Sequence, residues 1–98
     1  MMVRLSAEAE RDLERIGDRI ARDDPARALG FIQELRAKCL GLGHFPDRFP
    51  LVPRYEADGI RRRVHGNYLI FYRADQEQVV VIHILHGAMD YEGLLFPS

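Results

Sequence analysis

The stretch GNYLIFYR, Gly66 to Arg73, constrains the fold more than any other part of the chain, because five large apolar or aromatic residues stand in a row at positions 68–72. A strand with one face in a core and one in water alternates apolar with polar residues. Here Tyr68, Ile70 and Tyr72 point one way and Leu69 and Phe71 the other, so both faces are apolar. The run Val79 to Leu85 repeats the condition: Val80, Ile82 and Ile84 fall on one side, Val79, Val81 and Leu85 on the other, interrupted only by His83. A sheet built on these strands needs cover on two sides.

Helices can supply the first cover. Met2 to Leu5 reads as a short strand, and Ser6 then offers an N-cap hydroxyl ahead of Glu8 and Glu10 in a first helical turn. Ala9, Leu13, Ile16 and Ile20 form one stripe, while Glu10, Arg11, Asp12, Glu14, Arg15 and Asp18 cover the rest of the helix. The run DDPARA restarts the pattern, with Asp24 as cap and Pro25 in the first helical position, where its missing N–H costs nothing. Ala28, Leu29, Phe31, Ile32, Leu35, Cys39 and Leu42 then hold helical spacing as far as Gly41 and Gly43. So short a turn makes the two helices an antiparallel hairpin.

Prolines 46, 50 and 53 exclude helix from HFPDRFPLVPRYEAD, which carries apolar anchors at Phe45, Phe49, Leu51, Val52 and Tyr55. They either cap the end of the core or form a partner-binding rim. Ile60 to His65 and Tyr68 to Arg73 make a hairpin, since Gly66 stands where a type II′ turn requires positive φ. Asp90 is a possible cap for a short last helix through Leu95. The order is β-α-α-β-β-β in one domain, residues 1–98: an α+β fold with a helical hairpin on one face of a small antiparallel sheet. The second face is left either to the 44–58 loop with Leu94, Leu95 and Phe96, or to a protein partner.

Composition excludes several classes. With 47 % hydrophobic and 30 % charged residues the chain is neither disordered nor fibrous. Its formal net charge is −1, and of fourteen basic residues only Lys38 is a lysine, a bias that a GC-rich genome explains. MMVRLSAEAE has no leader pattern and no stretch approaches the roughly 18 apolar residues of a membrane span, which points to the cytoplasm. Cys39 lies on the apolar side of its helix, as an inert thiol. In an extended chain His83 and His86 take opposite faces with no third ligand, and no Gly-rich phosphate loop is present, so neither metal nor cofactor is expected.

LSAEAERDLERIGDRIARDDPARALGFIQELRAK, HFPDRFP, GNYLIFYR and HILHGAMD, taken in order, resemble the ParE/RelE toxin superfamily, and within it the ParE branch, over roughly residues 3–92. The resemblance implies a bacterial type II toxin neutralised by a small antitoxin encoded beside it. That antitoxin would be ParD-like, with a ribbon-helix-helix part that dimerises, giving a hetero-oligomer. ParE-type members poison DNA gyrase, whereas RelE-type members cut messenger RNA on the ribosome.

The site decides between the two branches, because fold alone cannot. RNA cleavage by the 2′-hydroxyl needs clustered basic side chains at the scissile phosphate and a group for acid–base work. The basic residue that RelE-like members carry after the strand-opening Gly-x-Tyr falls on Leu69, the arginine beyond the last strand on Met89, and the C-terminal tyrosine near Leu95, with Tyr91 out of register. Only Arg61 and Arg63 have counterparts. A net charge of −1 also suits RNA poorly. The expectation is a non-enzymatic gyrase inhibitor without sequence-specific DNA binding or membrane contact; an mRNA endoribonuclease and a degenerate, antitoxin-binding domain are the alternatives. ParE members commonly end HGARD where this chain has HGAMD, which bears on any role of that arginine. Candidate antitoxin contacts are Leu13, Ile16, Ile20, Phe45, Phe49, Tyr55, Arg61, Arg63 and Tyr72; candidate target contacts are Arg62, Met89, Tyr91, Leu94, Leu95 and Phe96. The plainer reading of Arg61 to Arg63 is an edge strand kept from aggregating by its charge.

Overall fold

The computed structural model describes residues 1–88 and 91–95, apart from the side chains of Glu92 and Leu94. The elements are β1 (Met2–Leu5), α1 (Ala7–Ala21), α2 (Pro25–Leu40), β2 (Arg61–His65), β3 (Tyr68–Ala74), β4 (Gln78–His86) and α3 (Glu92–Leu95), with single 3-10 turns at Gly41–Gly43 and Glu56–Asp58. Both helix starts use the expected caps. Ser6 Oγ accepts from the Ala9 N–H at 3.0 Å, and Asp24 Oδ1 accepts from the Arg27 N–H at 3.1 Å with Pro25 opening α2. Asp90, the expected cap of the last helix, lies with Met89 and Phe96 outside the described residues.

The four strands are ordered β1-β4-β3-β2. β2, β3 and β4 run antiparallel, as expected, but β1 pairs in parallel with Gln78–Val81 of β4, so the sheet is mixed and not wholly antiparallel. Parallel neighbours need a long crossover, which here is the helical hairpin together with the β2–β3 hairpin. Gly66 opens the β2–β3 turn with φ +59° while Asn67 keeps negative φ, the pattern of a type II′ connection. Gly43 has a different reason: a Cβ there would run into the Met1 carbonyl, so glycine admits the chain start, whose amine donates to Gly43 O at 3.2 Å.

On β3 the two faces separate as the alternation demands. Tyr68, Ile70 and Tyr72 enter a core with Ala9, Leu13 and Ile16 of α1 and Phe31, Leu35 and Cys39 of α2. Leu69 and Phe71 enter a second cluster with Val52, Ile60, Leu85 and Leu95, against which Tyr55, Ile82 and Tyr91 pack. The proline-rich segment and the C-terminal turn therefore cover the second face. β4 departs from strict alternation. Tyr72 pairs with Val81 but Phe71 pairs with His83, so Ile82 is an extra residue, a β-bulge. The bulge moves Ile84 to the helix face with Val79 and Val81, and leaves Ile82 with Leu85 on the other; simple alternation had grouped Ile84 with Ile82 and set Leu85 beside Val79 and Val81.

Candidate functional site

β1 accompanies β4 only as far as Val81. There the chain turns away: the Ser6 N–H donates to Val81 O at 2.9 Å, its hydroxyl donates to Ile82 O at 2.8 Å, and α1 begins. Beyond this point β4 has an edge with no neighbouring strand among the described residues. Asp12 leans into the gap from α1. One of its oxygens accepts from the Ile84 backbone N–H at 2.9 Å and lies 2.7 Å from His83 Nδ1, while the other accepts from Arg15 at 2.9 Å. Only 4 % of Asp12 is exposed, so an ionisable group sits in the interior with both of its oxygens partnered. It does for the edge N–H what a further strand would do.

Assigning Asp12 to the solvated side of α1 is thus corrected. It stands three residues after Ala9 and four before Ile16, on the buried stripe, and that spacing was the available signal. Beside it lies a cavity of about 230 Å³ whose walls include Arg15, Ile16 and Arg19 of α1, Tyr68 of β3, and Leu85 and His86 of β4. The His86 ring meets Tyr68 edge-on at 5.3 Å. His83 and His86, expected on opposite faces, both border this groove because it opens at the edge of the sheet. Among the described residues no group of three His, Cys, Asp or Glu side chains could hold a metal ion.

The arginine strand is less solvated than its sequence suggests. Arg61 and Arg63 share a side, as alternation requires, and both fasten the chain: Arg61 donates to Asp47 O and Phe49 O at 3.2 and 2.7 Å, and Arg63 donates to Lys38 O at 3.1 Å while lying 4.8 Å from the centre of the Phe49 ring. Arg62 takes the opposite side, with Nη1 3.4 Å from Tyr91 Oη. Tyr72 completes the fastening by donating to Pro46 O at 2.8 Å, and burial raises its pKa against the pull of Arg61. Burial likewise pushes the Cys39 thiol up to about 12, leaving almost no thiolate at neutral pH.

The remaining candidates divide by burial. Leu13 and Tyr72 are 2 % and 0 % exposed, so they serve the core, and a partner could reach them only by opening it. Ile16 forms a wall of the edge groove, and Ile20 and Phe49 are half-buried at the rim of the first core. Phe45 stands clear of the surface at 70 % exposure. Tyr55 and Tyr91 pack on the second cluster and Leu95 lies inside it. The Leu94 side chain, Met89 and Phe96 are outside the description. What sequence reasoning missed is the meeting of Asp12, Arg15, Arg19, His83 and His86 at one end of β4.

An α+β fold of this topology defines a class. It superposes with a TM-score of 0.74 on a chain of the chromosomal ParDE toxin-antitoxin system of P. aeruginosa, at 19 % identity, covering 88 % of this chain and 95 % of that one. A chain of the toxin-antitoxin complex RelBE2 of Mycobacterium tuberculosis is similar at 26 % identity and a TM-score of 0.64, covering 87 % and 95 %. A comparison with individually curated proteins finds no match. The family model of the ParE toxin of the type II toxin-antitoxin system parDE matches residues 3–91, and the chain belongs to that family. No helix among the described residues is long and apolar enough to cross a membrane.

Proposed function

We propose that this toxin acts in the cytoplasm by binding, with DNA gyrase as its target, and that a ParD-like antitoxin silences it in a hetero-oligomer. One observation carries the reading. The position at which the ribonuclease branch would place a basic side chain falls on Leu69 and that of its acid–base tyrosine near Leu95, and these two leucines are 9 % and 8 % exposed in the second core. Tyr91, the nearest substitute, lies against the Phe71 ring at 4.8 Å. Apolar side chains packed in this way offer nothing to stabilise charge at a phosphate. The basic strand is committed in the same sense, since Arg61 holds the loop through the Phe49 carbonyl and Arg63 holds the end of α2 through the Lys38 carbonyl.

Two toxin-antitoxin systems among the structural neighbours support an antitoxin partner. The contacts assigned to it are Ile16, Ile20, Phe45, Phe49, Tyr55, Arg61 and Arg63, and those assigned to the target are Arg62, Met89, Tyr91, Leu94, Leu95 and Phe96. Purified toxin added to a gyrase supercoiling reaction and to an in vitro translation reaction tests the proposal. Loss of supercoiling with translation intact is the expected result. Translation arrest with fragmented mRNA overturns it in favour of the endoribonuclease; inactivity in both, with tight antitoxin binding, favours a degenerate domain.

A further inference from the structure

The C-terminal end of α2 gathers positive charge that the fold does not balance. A cavity of about 340 Å³ there is walled by Lys38, Arg48 and Arg63, by His44, and by the rings of Phe45 and Phe49, with no carboxylate among the described residues that line it. Neither Lys38 nor Arg48 makes an ion pair among the described residues, and Asp47, the acid next along the chain, turns to Arg61 at 3.6 Å. The guanidinium groups of Arg48 and Arg63 lie 5.5 and 4.8 Å from the centre of the Phe49 ring, which keeps both beside the cavity. The helix end does not cancel this charge. Its Ala37 and Lys38 carbonyls already accept from the Gly41 N–H and from Arg63, and the Gly41 carbonyl accepts from the His44 N–H.

Phe45 supplies a second, independent observation. Its ring is 70 % exposed, and a neighbouring hollow bounded by His44, Pro46, Asp47 and Arg48 adjoins it as well, so there is open space beside the ring in two directions. The segment that presents it is anchored, through Tyr72 to Pro46 O at 2.8 Å and Arg61 to Phe49 O at 2.7 Å. We infer that this end of the molecule holds single-stranded nucleic acid, with one phosphate among Lys38, Arg48 and Arg63 and the adjoining base stacked on Phe45. An exposed ring beside unpaired cations matches the alternation of base faces and phosphates along a strand, whereas a duplex keeps its base faces covered. An acidic peptide would satisfy the cations and leave the ring unused. The formal net charge of −1 does not oppose this, because at physiological salt charges beyond about 8 Å are largely screened and the site responds to its own cations. The inference goes beyond the gyrase and antitoxin readings and needs neither; an antitoxin seated on Phe45, Phe49 and Arg63 would close the site.

The test is fluorescence anisotropy of a labelled oligothymidylate of about a dozen nucleotides with the full chain, titrated from about 50 mM salt upward. Lys38→Gln combined with Arg48→Gln should weaken binding by about tenfold or more and flatten the slope of log K against log salt by about 1.4, since each phosphate contact on a single strand contributes about 0.7. Phe45→Ala, at so exposed a ring, should leave the melting temperature unchanged and weaken binding by about fivefold or more. Arg22→Gln, beyond the opposite end of α2 and roughly 20 Å from Lys38, should change it by less than about twofold. DNA and RNA share the chemistry inferred, so an oligouridylate of the same length tells the two sources apart, and binding of either strand with these sensitivities supports the inference. No binding at about 50 mM salt overturns it. So does either variant without effect, or equal binding by a duplex of the same length or by an oligoglutamate of the same charge.

Discussion

The two faces of the sheet are covered by unlike means. On one side two capped helices lay Leu13, Ile16, Phe31 and Leu35 over β3 and β4, and the residues beneath them are almost wholly buried. On the other, a proline-rich segment contributes Val52 and Ile60, and a four-residue helix contributes Leu95. Helical cover is regular and carries its own hydrogen bonds, so it can be long. Loop cover must have its backbone groups satisfied piecemeal, here by Val52 N–H to Ile60 O at 2.8 Å, Arg62 N–H to Pro50 O at 3.1 Å and the Arg61 side chain. The difference implies that the second face yields first.

The largest expected effect is on the helical side. Leu35 is fully buried between α2 and the sheet, so Leu35→Ala removes its contacts and leaves a cavity, at about 2–5 kcal/mol. Urea unfolding measures it, and a cost below about 1 kcal/mol would mean that the helices are not the dominant cover. Leu95→Ala should cost less, about 1.5–3 kcal/mol, because a four-residue helix can relax over Leu69 and Phe71. The Cys39 thiol, with its pKa near 12 and its place in the helix-face core, reports which face opens. Its alkylation at neutral pH should accelerate in Leu35→Ala in proportion to lost stability, and much less in Leu95→Ala. Equal acceleration would show that the faces open together.

Asp12→Ala probes the border between the faces. Removing the carboxylate strands the Ile84 N–H and the His83 ring nitrogen at a buried edge, at about 1–3 kcal/mol. Amide exchange at Ile84 should rise more than at Val81, which keeps β1 as a neighbour. Uniform acceleration along β4 would remove the special role assigned to that edge.

Much of this was legible from local signals, and what was not depends on fit between distant segments. Ser6, Asp24-Pro25 and Gly66 announce helix starts and a turn through chemistry that acts within three residues, and each element begins where they stand. The double-faced pattern of β3 correctly demanded two covers. The phase of β4 failed because the bulge at Ile82 arises from pairing with β3, which no local period encodes. Parallel addition of β1 was hidden for a related reason: four residues carry too little pattern to choose a partner 76 positions away, as between Met2 and Gln78. Asp12 was read as solvated because carboxylates seldom occupy a buried stripe, although its spacing placed it there. The arginine strand was read as repelling neighbours, when Arg61 instead meets the Phe49 carbonyl of the proline-rich loop and Arg63 the Lys38 carbonyl of α2, neither of which sequence can position.

The smallest expected effect lies at the outer rim of the helical cover, where Arg36 of α2 grips Glu10 of α1 with two hydrogen bonds of 3.0 and 2.9 Å. Hydrogen bonding to Arg36 lowers the Glu10 pKa below its ordinary 4.5, partly opposed by desolvation and helped by the guanidinium charge. A depressed folded-state pKa means that the stabilisation is present above the unfolded value and lost as pH falls through the folded one. Both side chains are close to half exposed, 45 % and 48 %, so solvent screening holds the effect to about 1 kcal/mol or less. Glu10→Gln should therefore lower the urea midpoint slightly at pH 7, and the difference from the parent should vanish once the pH has fallen through the folded-state pKa and the parent carboxyl is itself protonated. Among the described residues the second face has no such pair between helices, and it should give an acid response independent of this substitution. A midpoint difference that persists at low pH would assign the effect of Glu10 to packing between the helices and not to its charge.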